Sequence, residues 1–417
     1  MEIADFVQTF YQNRKQTDSL KWDSLKERYG AEGLLPLWVA DMDFSMPTTV
    51  QAALTERIEH GIFGYSLVPE NYFSAYASWQ ERHEQTRFRK EWLHFTTGVV
   101  QGLHDLIECF TEKGDQILIQ PPVYYPFFNV IEDQQRELLT SNLLETEDGY
   151  RMDLVHFQRQ LMENEVKLFL LCSPHNPVGR VWRREELKEV LSLCQKYDVL
   201  VISDEIHSDL ILSGHSFVSA LTIAEELDCF EQLIVCNAPS KTFNLASLLN
   251  AHIWLPDPKL RKKYQQWEKQ HRHTGLSTLG QTAAMTAYAT GDEWLRDLLA
   301  VVEKNYQLLR GRLAENIPEI KISELQGTYL AWLDVRNWLP KLYEIKHYIQ
   351  DQAGLAIDYG AWFSSETKGF IRINLATKPE NIEAAVKRLI EVDHSIKGGI
   401  TDELSNSNRI SADRQSQ

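Results

Sequence analysis

Short apolar runs rich in Val, Ile and Leu recur through the middle of the chain, at Gln116–Gln120, Lys167–Ser173, Val199–Asp204 and Gln232–Asn237. Runs this short, flanked by polar or turn-forming positions, predict strands buried on both faces. Between two of them, Leu187, Val190, Leu191 and Cys194 fall at i, i+3, i+4 and i+7 of Arg184–Tyr197. That spacing is the apolar stripe of an amphipathic helix. The strand–helix–strand order from Lys167 to Asp204 predicts a βαβ unit and a parallel sheet. Ligands of such sheets bind beyond the carboxyl ends of the strands, so the residues just after each run are the candidates for chemistry.

The pattern changes after about residue 290. Helical segments around Trp294–Asn316 and Leu342–Ala353 interleave with strand-like GTYLAWLDV (327–335) and GFIRINLA (369–376). This predicts a smaller α+β domain. Residues 1–50 show neither helical nor strand period, although KWD (21–23) and LPLWVADMDF (35–44) are rich in Trp, acids and Pro. They read as an irregular arm that packs on something. From Gly398 to Gln417 Ser, Asn, Asp and Arg prevail, a composition that predicts disorder. The predicted organisation is an arm (1–50) joining the small domain, a large domain (51–290), the small domain (291–397) and a disordered tail (398–417).

Composition narrows the partners. The 417 residues carry a formal net charge of −16, which argues against nucleic acid or an anionic membrane as the main partner. Five cysteines, with no C-x-x-C, read as buried thiols in a reducing compartment. The start, MEIADFVQTFYQNRKQ, lacks the apolar stretch of a signal peptide, and no apolar run approaches the ~20 residues of a membrane helix. The expectation is a soluble, cytoplasmic protein. Neither G-x-x-x-x-G-K-[ST] nor H-E-x-x-H occurs, and no metal site is expected.

Four features fall at strand ends or helix starts. TTGVVQGLHDLI (96–107) is a Gly turn opening into a helix, where free backbone N–H groups attract phosphate. SPHNPVG (173–179) fixes Asn176 between two prolines. ISDEIHSD (202–209) ends an apolar strand on Asp204, a carboxylate that needs a partner if buried. NAPSKTFN (237–244) sets Ser240 and Lys241 just past another strand. Each alone has a bland reading: a turn, a stiffened loop, a structural ion pair, a solvated lysine. Together they supply what pyridoxal 5'-phosphate needs. That cofactor takes a lysine for its Schiff base, a carboxylate for its ring nitrogen, a phosphate cradle and a donor near its ring oxygen.

These motifs resemble the fold-type-I pyridoxal-phosphate superfamily, the aspartate-aminotransferase fold. KWD, LPLWVADMDF, FGYS (63–66), LLCSPHNPVG, ISDEIH, SKTFN, TYLAWLD (328–334) and FIRIN (370–374) are similar to its MalY/PatB-type branch of cystathionine β-lyase-like carbon–sulfur lyases. The resemblance runs from about Lys21 to Leu389. It implies an α/β fold, with a large domain of mainly parallel sheet flanked by helices and a smaller α+β domain. It implies Lys241 as the Schiff-base lysine and the base at the substrate Cα. Asp204 would pair with the ring nitrogen, Asn176 would bond the ring oxygen, and Tyr124 would stack on the ring, with Tyr125 beside it. Val99 and Val100 would offer backbone N–H groups, and Ser240 a hydroxyl, to the phosphate. Tyr65 of the partner subunit would reach the same phosphate, making a homodimer with shared active sites. Arg372 would clamp the substrate carboxylate beside the backbone of Val39 and Ala40. Trp38, Phe44, Trp362 and Phe363 are candidates for the side-chain pocket, with packing as the alternative.

Two positions depart from ordinary aminotransferases of this fold. His207 stands where many have Tyr, and SKTFNLASLLNAH carries no phosphate-gripping Arg after Lys241. Both agree with the lyase branch. The implied reaction is α,β-elimination of S-substituted L-cysteines: cystathionine to homocysteine, pyruvate and ammonia, or cysteine to hydrogen sulfide. The rival readings are an aminotransferase and, further off, a regulatory binding protein on the same fold.

Overall fold

A computed structural model describes residues 1–147, 149–271 and 277–414. Seven strands form the main sheet: β1 (Leu93–Thr96), β2 (Gln116–Ile119), β3 (Glu137–Thr140), β4 (Val166–Cys172), β5 (Leu200–Asp204), β6 (Leu233–Asn237) and β7 (Ala251–Trp254). Their order across the sheet is β1-β7-β6-β5-β4-β2-β3. The four predicted runs are β2, β4, β5 and β6, which are parallel neighbours or near neighbours. Only β7 runs antiparallel to both of its neighbours.

Both faces of the sheet are covered, which is why these strands are apolar at almost every position. In β4 only Lys167 is exposed. Phe169 and Leu171 pack with Leu187, Val190 and Leu191 of the Arg184–Lys196 helix on one face. Leu168 and Leu170 pack with Leu103 and Leu106 of the Val99–Phe110 helix on the other. Burying each such side chain contributes about 1.5–3 kcal/mol, so an all-apolar strand is stable only between two layers of helix.

A second, antiparallel sheet has the order Lys321–Ile322, Leu330–Asp334, Phe370–Asn374, Asp358–Tyr359. The long helices Asp292–Asn316 and Pro379–Arg414 pack against each other beside it. The segment expected as helix over Leu342–Ala353 is broken, into a 3-10 turn at Leu342–Glu344 and a π-type turn at His347–Gln352.

The first fifty residues depart from the expectation of an irregular arm. Ile3–Phe10 is helical and buries Phe6 and Phe10, a pair at i, i+4 too brief to register as a period. Leu20–Asp23 and Leu25–Tyr29 add two short helices. Farther on, Leu35 pairs with Leu355 in a parallel bridge. The last helix continues to Arg414, through the stretch whose composition predicts disorder; no proline follows Pro379 to stop it. Residues 415–417 of the predicted tail lie outside the described residues. Among the described residues, no helix is long and apolar enough to cross a membrane, and all five cysteines are buried and free.

Candidate active site

Parallel pairing brings three strand ends into line: Cys172 of β4 lies beside Asp204 of β5, and Asp204 beside Cys236 of β6. The chain leaves β4 toward Asn176, leaves β5 toward His207, and leaves β6 into the four-residue helix Pro239–Thr242 that carries Ser240 and Lys241. The Val99–Phe110 helix begins just after β1. One cavity opens at this edge. It is lined by Asn176, Asp204, His207, Ser240 and Lys241, with Tyr124, Ala40, Val99 and Val100 completing it. A second cavity shares Ala40, Tyr124 and Lys241 and extends past Trp38 and Val39 to Arg372 and Asp358. Lys241 therefore stands where the two meet.

The Lys241 amine donates to the Ala40 carbonyl at 2.6 Å. Burial lowers its pKa to about 8; Arg372 adds to the lowering, and Asp41 and Asp204 oppose it. A lysine near 8 is neutral often enough at physiological pH to take a proton.

Two neighbouring carboxylates show contrasting environments. Glu205 accepts from Ser203 Oγ at 2.9 Å, Ser219 Oγ at 2.7 Å and the Ala220 amide at 2.8 Å. Among the described residues, the Asp204 carboxyl, 4% exposed as a residue, accepts only from the Ile206 amide, at 3.1 Å on Oδ1. Burial pushes the Asp204 carboxyl up to about 7, against the Ile206 amide and Lys241, which lower it. Glu205 is satisfied by the protein, whereas Asp204 has an oxygen left for a ligand.

Arg372 sits mid-strand in Phe370–Asn374 and is 2% exposed. It faces Asp358 on the adjacent strand, with which it makes a buried ion pair. Its Nη1 donates to Asn176 Oδ1 at 2.7 Å, while Nε has no partner. A guanidinium has no acceptor, so this contact fixes the Asn176 amide with Oδ1 toward Arg372. The Asn176 Nδ2 is then left as a donor. Sequence reasoning missed Asp358, although a buried arginine demands a carboxylate and DYG (358–360) lies only nine residues before FIRIN.

The amides of Val99 and Val100 are the first two of their helix, and no hydrogen bond to a described acceptor involves them. Among the described residues, Lys241 is the one cationic side chain lining this first cavity. His207 is 3% exposed with Nδ1 unpartnered. Burial, helped by Lys241 and Arg372, holds its pKa down at about 3, so the imidazole is neutral. Tyr124 lines both cavities, whereas Tyr125 lines only the second.

Not every candidate joins the site. Tyr65 is fully exposed and lines neither cavity; Ile62, Phe63, Leu67 and Val68 around it are exposed as well. Trp38 lines the second cavity, but Phe44 packs against Phe6 and Tyr11 in the core. Phe363 lies under the Arg372 guanidinium at 4.9 Å, and Trp362 stacks with Arg28 at 4.8 Å. For these last three, packing is what the structure shows. Tyr329, Asn244 and Asn374 also organise the site and escaped notice, because their partners are backbone atoms of residues 39–44.

Comparison with known proteins agrees with this geometry. Residues 36–389 match the family Aminotransferase class I and II. The chain is 35% identical over 378 residues to cystathionine beta-lyase PatB of Bacillus subtilis, covering 91% of this chain and 97% of that protein. It is 30% identical over 389 residues to protein MalY of Escherichia coli, covering 92% and 98%. Among solved structures, cystalysin from Treponema denticola, which contains pyridoxal 5'-phosphate, superposes with a TM-score of 0.89 at 32% identity, covering 93% of this chain and 99% of that one.

Proposed function

The chain belongs to the aminotransferase class I and II family, and from that premise we propose that it is a pyridoxal-phosphate-dependent carbon–sulfur lyase acting on S-substituted L-cysteines. The observation that carries this reading is the place of Lys241, at the junction of a cavity ending on Asp204 and another ending on Arg372.

The donor set fits the cofactor. Asp204 is a buried carboxyl with one oxygen unused, and a protonated ring nitrogen would return it to a carboxylate. Asn176 offers Nδ2 to the ring oxygen because Arg372 holds its other end. The Val99 and Val100 amides and the Ser240 hydroxyl suit a phosphate. When bound, pyridoxal phosphate supplies the electron sink that lets a Cα proton be lost and a β-substituent leave.

The chain's own groups do the rest. Lys241 would hold the cofactor through its side-chain nitrogen, and its free amine, with a pKa lowered to about 8 by burial, would take the Cα proton. Arg372 offers its planar fork to the α-carboxylate, already charge-balanced by Asp358. Tyr124, which lines the same cavity, would stack on the ring, and neutral His207 would add no charge there. The net reaction balances as cystathionine plus water giving homocysteine, pyruvate and ammonia. Closeness to PatB and cystalysin supports elimination over transamination.

The exposed apolar segment around Tyr65 supports a homodimer in which Tyr65 of the partner subunit reaches the phosphate. Five free buried thiols support a reducing, cytoplasmic setting.

The test is purified protein with L-cystathionine and no keto acid. Pyruvate and free thiol in equal amounts, together with a visible cofactor band that Lys241→Ala abolishes, are expected. A cofactor band with no pyruvate until a keto acid is added would replace the lyase by an aminotransferase.

A further inference from the structure

The Ala40 carbonyl oxygen accepts two hydrogen bonds, one from Lys241 Nζ at 2.6 Å and one from the Tyr329 hydroxyl at 2.9 Å. Both donors are rooted in the core. Tyr329 is 0% exposed, and its own carbonyl accepts from the Leu375 amide at 2.8 Å. The segment bearing Ala40 is pinned on either side. Asn374 Nδ2 donates to the carbonyls of Val39 at 2.6 Å and Asp41 at 2.7 Å. Asn244 donates to those of Met42 and Phe44, both at 3.0 Å, and accepts from the Met42 amide. The Ala40 oxygen is therefore a fixed point shared by the lysine and a tyrosine.

We propose that Tyr329 is a positioning residue that sets the basicity of Lys241 by sharing its Ala40 acceptor. This rests on the reading of Lys241 as the cofactor-bearing base. A carbonyl has two lone pairs, and a second donor on it draws off density and weakens its bond to the first. The weakening matters more to an ammonium than to a neutral amine, because charged donors gain about twice as much from an acceptor. Tyr329 thus tilts Lys241 toward its neutral form. The remaining bond to Ala40 fixes one N–H and leaves the lone pair free for the Cα proton. The other groups that face Lys241 are Asp41 on the arm, Asp204 and neutral His207 beyond β5, Tyr124, and Arg372 on the small sheet. None of them accepts a hydrogen bond from the Tyr329 hydroxyl, whose acceptor is the Ala40 carbonyl.

The experiment compares wild type with Tyr329→Phe, which keeps the buried ring. In cofactor-stripped full-length protein, acylation of Lys241 by an amine-directed reagent is followed against pH by peptide mass spectrometry. The midpoint is expected to rise by about half a pH unit or less, since one donor on a shared acceptor changes the strength of the other's charge-assisted bond by about 10–30%. In the holoenzyme, the acid limb of kcat should rise by the same amount, with KM above that limb unchanged. Tyr329→Leu, which loses the ring as well, should move the midpoint the same way and covers the case of a poorly folding Phe variant. A midpoint that stays put or falls in the folded variant overturns the proposal. Persistence in Lys241→Ala of the visible cofactor band would instead overturn the reading on which it rests.

Discussion

Replacing Asp204 by Asn tests the site without any assay of activity. In the cofactor-free fold the Asp204 carboxyl stands at about 7 against an ordinary 3.8, because burial opposes its charge. Between those values the unfolded chain gives up a proton that the folded chain keeps. A raised pKa contributes stability that is complete below 3.8 and is lost as pH climbs to about 7. The interval of about three pH units corresponds to about 4 kcal/mol. Glu205, also pushed up to about 7 by burial, has the same sign. It is present in both proteins and cancels except for the smallest part of its shift, which the Asp204 charge causes. Urea unfolding of both cofactor-free proteins should therefore show the stability of wild type, less that of Asp204→Asn, falling by about 4 kcal/mol from acid to neutral pH. Adding pyridoxal phosphate should abolish the part of the wild-type decline that Asp204 causes, since a ring cation would pair with the carboxylate. A difference that stays flat with pH would refute the claim that Asp204 is a buried carboxyl awaiting a cation.

Two further outcomes follow from the small-sheet side. Arg372→Lys keeps the charge but loses the planar fork and the bond to Asn176, so kcat/KM should fall by about a hundredfold, mostly through KM, in steady-state kinetics. Asp358→Asn leaves the Arg372 guanidinium buried without its carboxylate, which should cost about 3–5 kcal/mol of stability in denaturant unfolding. A carboxylate-bearing substrate analogue should restore part of that loss, since it supplies the missing charge at Arg372.

The sequence by itself determined the strands and the order of the chemistry. The runs at 116–120, 167–173, 199–204 and 232–237 are strands because nothing but a two-sided sheet buries so many consecutive apolar residues. Their polar termini, Asn176, Asp204, Ser240 and Lys241, then had to share an edge, because parallel strands end together. Periodicity failed where an element is too short to repeat, as in the Ile3–Phe10 helix. Tertiary structure alone decided the contacts between the two sheets and the arm. That Asp358 balances Arg372, that Arg372 orients Asn176, and that Tyr329 and Lys241 meet on the Ala40 carbonyl are pairings across 14 to 289 residues of chain. Local pattern cannot carry them: one shared partner, the Ala40 oxygen, is a backbone carbonyl such as every residue has, and only the folded path brings the rest within hydrogen-bonding distance.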